Sequence, residues 1–350
     1  MAKKVYVGLS GGVDSSVTAA LLKQQGYEVT GVYMKNWSTD LPGMPCPWKE
    51  DYQDAKRVAV QLGIPFKLYD FETEYRQKVV DYMVREYQAG RTPNPDIMCN
   101  QEVKFRLFLE TALEDGADLI ATGHYARTKD GQLLMAKDAN KDQTYFLYRV
   151  TKDALQKTLF PIGDYSKPEI RELAKKFGLV TATKKESMGI CFVGKVGIKD
   201  FLIHELGLQK AGNIVDQTGV VVGKHEGAIF YTIGQRHGLQ VGGGLPYYVI
   251  GKDMKKNEVY VTTDLDDKNL WTKQLVLGDA HWINESPTVG GTYLVRTRHR
   301  APLVTAHVSK IDKTNTTLEL KDEIRAATPG QSVVLYDKDI VVGGGIIVAQ

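Results

Sequence analysis

Cysteine is scarce in this chain. Three occur in 350 residues, Cys46, Cys99 and Cys191, and no Cys-x-x-Cys pair is present. That excludes a secreted disulfide scaffold, and two cysteines with no nearby Cys or His partner fall short of a structural zinc site. Long apolar runs are also missing. No stretch of ~18 apolar residues exists, so no membrane-spanning helix is expected, and residues 1–10 hold no apolar run of signal-peptide length. Charge of one sign is lacking too: 45 Lys+Arg face 42 Asp+Glu, a net +3, and residues 204–350 hold 16 of each. A generally basic surface is thereby excluded, and any nucleic-acid site must be a local patch. The expected compartment is the reducing cytoplasm, where the thiols stay available for chemistry.

What is present is ordinary for a globular protein, with 43% hydrophobic and 25% charged residues. The length suggests two or three domains. In the first part, strand-like runs (Val5–Leu9, Val29–Met34, Pro65–Tyr69, Asp118–Thr122) are spaced by segments of helical period (Val17–Lys23, Asp51–Leu62, Glu72–Gln88, Val103–Glu114, Pro168–Phe177). Strands separated by helices imply βαβ units and a parallel sheet. After about residue 205 the text turns Gly-rich with short β-like runs. From Leu275 regular strand-like runs suggest a small antiparallel barrel. The expected division is 1–205, 206–270 and 271–350.

Residues 8–16, Gly-Leu-Ser-Gly-Gly-Val-Asp-Ser-Ser, follow the first strand and open the first helix. Glycines let the backbone approach a ligand, and amides at a helix start favour an anion. An ordinary capped turn is the plainer reading, but three glycines and three serines at this place favour phosphate. The loop lacks a Gly-Lys-Ser/Thr end and lacks Gly-x-Gly-x-x-Gly spacing, so neither the common nucleotide-hydrolase loop nor a dinucleotide fold fits. The run SGGVDSS resembles the pyrophosphate (PP) loop of the ATP-pyrophosphatase family. That resemblance implies ATP cleavage to AMP and pyrophosphate, with Asp14 a candidate ligand for Mg2+.

Two further stretches draw attention. In residues 92–100, Thr-Pro-Asn-Pro-Asp-Ile-Met-Cys-Asn, two prolines bias the chain away from helix, which predicts a rigid non-helical loop presenting Asp96 and Cys99. In residues 186–194, Cys191 stands between glycines. Singly, each cysteine reads as an inert, partly buried side chain.

Together the motifs read differently. TPNPDIMCN, GICF and SGGVDSS, with ATGHYAR (121–127), KDQTYFL (141–147) and YTIGQR (231–236) in order, closely resemble the tRNA-specific 2-thiouridylase family over nearly the whole chain. The resemblance implies an α/β fold: a parallel-sheet ATP-pyrophosphatase domain, a small central domain and a C-terminal antiparallel β-barrel that binds tRNA. It implies ATP-dependent adenylation of the 2-oxygen of the wobble uridine, then replacement by sulfur from a cysteine persulfide. Cys191 matches the sulfur carrier, charged by an upstream persulfide donor, and Cys99 its partner. Either the persulfide attacks the activated carbon or Cys99 releases hydrosulfide that does, and both routes leave a Cys99–Cys191 disulfide. Asp96 matches the general acid or base. ATP contacts carry over to Gly8, Leu9, Ser10, Gly11, Gly12, Val13, Asp14, Ser15, Met34 and Gly123. Target-base and tRNA contacts carry over to Asn94, Pro95, Asp96, His124, Lys141, Asp142, Gln143, Arg298, His299 and Gln331.

If residues 296–300 form a strand, Arg296, Arg298 and Arg300 share one face as a phosphate patch and His299 points away. The segment Leu41–Lys49 matches no motif, and Cys46 reads as a bystander. Two other functions compete: an amide-forming adenylating synthetase, opposed by the lack of a glutaminase-like cysteine, and a redox-sensitive RNA-binding protein, opposed by the intact loop.

Overall fold

The computed structural model describes residues 2–41, 45–185, 197–239, 241–242 and 244–349. Cys191 and the Gly-Ile-Cys-Phe motif lie outside these residues. Strand β1 (Lys4–Gly8) is the centre of the first sheet. Its Val5 and Val7 are fully buried, and Tyr6, on the opposite face by strand alternation, is buried as well. A central parallel strand must be apolar on both faces because helices cover both. Around it lie β2 (Glu28–Lys35), β3 (Phe66–Asp70) and β4 (Leu119–Ala121). A hairpin of β5 (Arg127–Lys129) and β6 (Gln132–Leu134) then leaves this sheet before β7 (Thr158–Leu159) completes it. The order is β3-β2-β1-β4-β7, and all pairings are parallel.

Helix α1 (Val13–Gln24) returns from β1 with nine buried residues, so its sequence shows little amphipathic contrast. Helix α2 (Trp48–Leu62) buries only Ala55, Val58 and Ala59 and stops at Gly63, whose left-handed φ of 59° ends the helix. The central region forms a four-stranded sheet of β8 (Gly212–Asp216), β9 (Val221–His225), β10 (Tyr248–Asp253) and β11 (Glu258–Thr262), in the order β10-β11-β8-β9.

The last six strands are β12 (Trp271–Trp282), β13 (Thr292–Arg296), β14 (Val304–Ile311), β15 (Asn315–Arg325), β16 (Ser332–Asp337) and β17 (Ile340–Ala349). They run β12-β15-β14-β13-β16-β17, and pairing of β12 with β17 closes an antiparallel barrel. Leu275, Leu277, Val308, Leu318, Val333, Leu335 and Ile347 fill it with no exposure.

Two features depart from the sequence reading. The β5–β6 hairpin extends the barrel's sheet, because Leu134 and Leu133 pair with Ile340 and Val341. One buried cluster accordingly runs from Ile97 and Cys99 through Tyr145 and Tyr148 to Val334, Tyr336 and Val341. The expected strand at residues 296–300 also fails to form. β13 ends at Arg296 and the chain turns, with Arg300 at φ 63° and the Ala301 amide donating to the Arg298 carbonyl. Arg296, Arg298 and Arg300 therefore do not share a strand face. Among the described residues, no helix is long and apolar enough to cross a membrane.

Candidate nucleotide and thiol site

The phosphate loop is built by close backbone approach. Gly11 has φ 75°, and a Cβ on it would sit 2.4 Å from the Asp51 carbonyl oxygen at the start of α2. A Cβ on Gly123 would sit 2.7 Å from the Ser15 amide nitrogen, so the end of β4 lies directly on the loop. Gly8 is covered by the Met34 methyl, which a Cβ would meet at 2.9 Å. The residues Gly8–Ser15, Met34 and Gly123, distant in sequence, thus share one place. Gly12 caps α1 without a side chain, so the first-turn amides are presented to an anion rather than consumed by a cap. Ser15 Oγ accepts from the Ser10 amide at 3.2 Å and Ser16 Oγ donates to the Gly12 carbonyl at 2.7 Å, which fixes the turn.

Asp14 carries a contact the sequence reading missed. Lys167 Nζ lies 2.7 Å and 2.8 Å from its two carboxylate oxygens, and the Tyr125 hydroxyl donates to Oδ1 at 2.9 Å. The available signal was the helix start Ser166-Lys-Pro-Glu169, a capping box that puts Lys167 at the first turn. Asp14 was the expected magnesium ligand. Both its oxygens are already taken by an ammonium, and no group of three His, Cys, Asp or Glu side chains gathers as a metal site among the described residues. The arrangement does not fit a protein-held cation.

A second missed group stands behind the loop. Lys184 Nζ reaches Asp51 Oδ1 at 2.8 Å and Asp54 Oδ2 at 2.6 Å. It pins the chain shortly before residue 186 against the helix that braces Gly11.

Residues 92–100 correct the loop expectation. Pro95 opens a helix rather than breaking one. The Asn94 side-chain oxygen accepts from the Asp96 amide, and Pro95 takes the first helical position, where its missing N–H costs nothing. Asp96 and Cys99 are therefore i and i+3, on one face. At Cys99 the helix passes into a π-helical segment that runs to Leu107, a distortion frequent at functional sites. Cys99 is buried. Burial pushes the Asp96 carboxyl above its usual range, partly opposed by the Lys104 ammonium.

Three regions of the chain meet beside this turn. Thr92 donates its amide to the Pro329 carbonyl at 3.0 Å, and its hydroxyl lies 3.0 Å from that of Thr232 in the YTIGQR run. Gln331, next to Gly330, accepts from Arg298 Nε at 3.1 Å. Asn100 Nδ2 donates to the Phe146 carbonyl at 3.1 Å, and the Phe146 ring lies 4.6 Å from that of His299. Asn94, Pro95, Asp96, Arg298, His299 and Gln331 thus fall in one neighbourhood, and the Lys141 charge acts on His299.

Other expected contacts sit deeper. His124 is buried between Phe105 and Phe160, its Nδ1 2.8 Å from Thr122 Oγ1, and burial with Lys104 nearby holds its pKa well below 6.5. Asp142 is 1% exposed and accepts from the Ala136 amide and the Thr144 hydroxyl. As positioned, its carboxylate braces the fold. Gln143 Oε1 accepts from the Tyr125 amide, a similar brace. Cys46 is half-buried and burial raises its pKa.

Comparison with known proteins follows this geometry. Family models described as a tRNA methyl transferase HUP domain, a tRNA methyl transferase PRC-barrel domain and an aminomethyltransferase beta-barrel domain match residues 3–195, 199–263 and 272–347. A tRNA-specific 2-thiouridylase from Listeria monocytogenes is 49% identical over 353 residues, covering 98% of this chain and 94% of that protein. Proteins of the same name from Methylobacillus flagellatus and Geobacillus thermodenitrificans are each 46% identical. They cover 99% and 98% of this chain, and 99% and 94% of their own lengths.

Proposed function

The chain belongs to the tRNA-specific 2-thiouridylase family, and from that premise we infer which of its residues carry the reaction. It is an ATP-dependent sulfurtransferase whose substrate is tRNA. The residue roles are our reading, and the close approach of Gly8–Ser15 to Met34 and Gly123, segments distant in sequence, is the observation that supports it most.

Bound ATP supplies an adenylyl group that makes the uridine 2-oxygen a leaving group. Gly8–Ser15 hold the departing pyrophosphate, whose growing charge the α1 amides and Lys167 stabilise. Met34 and Gly123 bound the adenine side. Asp14 holds Lys167 through both carboxylate oxygens. Asn94, Pro95 and Asp96 receive the target base, flipped from a single-stranded loop. Asp96, whose carboxyl is biased toward its protonated form by burial, moves the proton near the base.

Cys191 carries the terminal sulfur of a persulfide delivered by an upstream donor. In one route that sulfur attacks C2, AMP leaves, and the Cys99 thiolate then cleaves the S–S bond, freeing the 2-thiouridine. In the other, Cys99 attacks Cys191 Sγ first and expels hydrosulfide, which attacks C2. Both routes end with one Cys99–Cys191 disulfide, which two electrons from a thiol reductant reopen. A reducing cytoplasm supplies that reductant. Lys184 supports the reading by tying its own segment to Asp51 and Asp54 of the helix that braces Gly11.

The test is mass analysis of tRNA after incubation with the protein, ATP and a persulfide donor. One sulfur in place of one oxygen on the wobble uridine is the expected product. Cys191→Ser should abolish it while keeping tRNA-dependent pyrophosphate exchange. Loss of neither activity points away from sulfur chemistry.

A further inference from the structure

Cys99 is followed at once by two polar residues whose side chains are tied to one short stretch of chain. Asn100 Nδ2 donates to the Phe146 carbonyl at 3.1 Å, and Gln101 Oε1 accepts from Arg149 Nε. We propose that Arg149 is a positioning residue for sulfur transfer, fixing the helical register of the segment that carries Cys99 and tying that register to the barrel; this rests on the assignment of Cys99 as a thiol of the reaction.

The segment needs a restraint because its register is unusual. Residues Cys99–Leu107 are π-helical and run on into the α-helix Phe108–Glu114. π-Helical backbone is rare and mostly confined to single turns, whereas this stretch has nine residues. Relaxing one residue of it into α-helix would move Cys99 by about 1.5 Å along the axis and turn it by about 100° relative to the helix beyond. Side-chain contacts just after Cys99 are where such a slip is opposed.

Arg149 is built to oppose it. Its side chain is only 10% exposed. Besides Gln101 it reaches Asp279 twice, Nη1 donating to the carbonyl at 2.9 Å and Nη2 lying 3.1 Å from carboxylate Oδ2. Its guanidinium is 5.9 Å from the Tyr148 ring centroid. Gln101 Nε2 donates to Glu102 Oε1 at 2.9 Å, which leaves its oxygen for the arginine. At the barrel end, the pairing of β12 with β17 shifts between Gly278 and His281, and Asp279 in that bulge has φ 45°. Left-handed backbone is uncommon for a residue other than glycine, and here it offers a carbonyl and a carboxylate to one guanidinium. A planar fork can hold three such acceptors at once, which a point charge cannot. Tyr148, the preceding residue, is fixed to the barrel as well, its hydroxyl 3.0 Å from Ser332 Oγ at the start of β16. Arg149 therefore spans the barrel and the reactive segment.

The experiment compares the full-length wild type with Arg149→Met, Gln101→Ala and the double variant. Single-turnover thiolation of tRNA is measured on persulfide-loaded protein, and tRNA-dependent ATP–pyrophosphate exchange and tRNA affinity on unloaded protein. Each single variant should thiolate about 10–100-fold more slowly. Exchange and affinity should stay at wild-type values, so that adenylated tRNA accumulates. The double variant should be no slower than Arg149→Met, because both changes remove the same contact. Gln101→Ala leaves the pairing of Arg149 with Asp279 in place and reads the register even where Arg149→Met folds poorly. Wild-type thiolation by Gln101→Ala overturns the proposal. A joint fall in thiolation, exchange and affinity, the mark of general loosening, overturns it too, as do additive losses in the double variant. Unimpaired thiolation by Cys99→Ser would overturn the role of Cys99 itself, a result distinct from the others.

Discussion

Gly330 and Gly116 form a natural pair for testing the three-part site. Both have φ of 93°. A Cβ on Gly116 would meet nothing within 4 Å, whereas one on Gly330 would lie 2.8 Å from the Thr92 amide nitrogen and 2.9 Å from Arg91 Cβ. The pair separates backbone strain from steric intrusion. An L-residue in the left-handed region costs about 1–2 kcal/mol, so Gly116→Ala should lose that much stability. Gly330→Ala carries the same strain and adds about 1–3 kcal/mol of overpacking, for a total of about 2–5 kcal/mol. The intruding methyl must also push the barrel turn off Thr92, two residues before the Asn94 cap of the turn that carries Asp96 and Cys99. A displacement of about 1 Å there costs on the order of 10²-fold in rate. The assay is single-turnover thiolation of tRNA, with ATP affinity by calorimetry as the control. Gly330→Ala should thiolate about 10²-fold more slowly with ATP affinity held, because the phosphate loop lies elsewhere, while Gly116→Ala keeps the wild-type rate. Equal rates for the two variants would refute the reasoning.

Three further outcomes are expected. Asp96→Asn should lower turnover by about 10²–10⁴-fold and raise the thermal midpoint at neutral pH. Its carboxyl binds a proton more tightly in the folded state, so the stability it contributes falls as pH rises from the unfolded carboxyl value through the raised folded one. The variant's gain should fade on acidification, and a lower midpoint at neutral pH would contradict the burial argument. Replacing Lys167 by Met removes the ammonium assigned to the pyrophosphate; a charge-assisted hydrogen bond of that kind is worth about 1.5–3 kcal/mol, so ATP binding should weaken by about 10–100-fold with tRNA affinity unchanged, and calorimetry reads both. In the free enzyme, burial and then the Arg300, Arg296 and Lys141 cations push His299 down to about 4. An NMR titration should find that midpoint, and Arg300→Gln should move it upward.

The parallel sheet was legible because both faces of β1 and β2 are buried and read as continuous apolar runs between helices. The phosphate loop was legible because its glycines serve local needs, the turn and the close approach. The turn at residues 92–100 was misread in conformation. Proline biases its predecessor away from helix, but at the first helical position it is favoured, and an Asn cap decides between the two. The arginine run was misread for a similar reason: alternation mimics a strand, while Arg300 in a left-handed turn ends it.

By itself the sequence determined the order of the sheets, the phosphate loop and the family resemblance, since these rest on local spacing and composition. Only the tertiary structure decided that Lys167 occupies Asp14, that Asp142 and His124 turn inward, and that the β5–β6 hairpin joins the barrel. It also decided that Arg296, Arg300 and Lys141 act together on His299 while Arg298 turns to Gln331. These are contacts between residues up to 212 positions apart, such as Arg127 with Asp339. Long-range pairing of this kind depends on how buried surfaces close against one another, and the periodicity of a single chain carries no term for it.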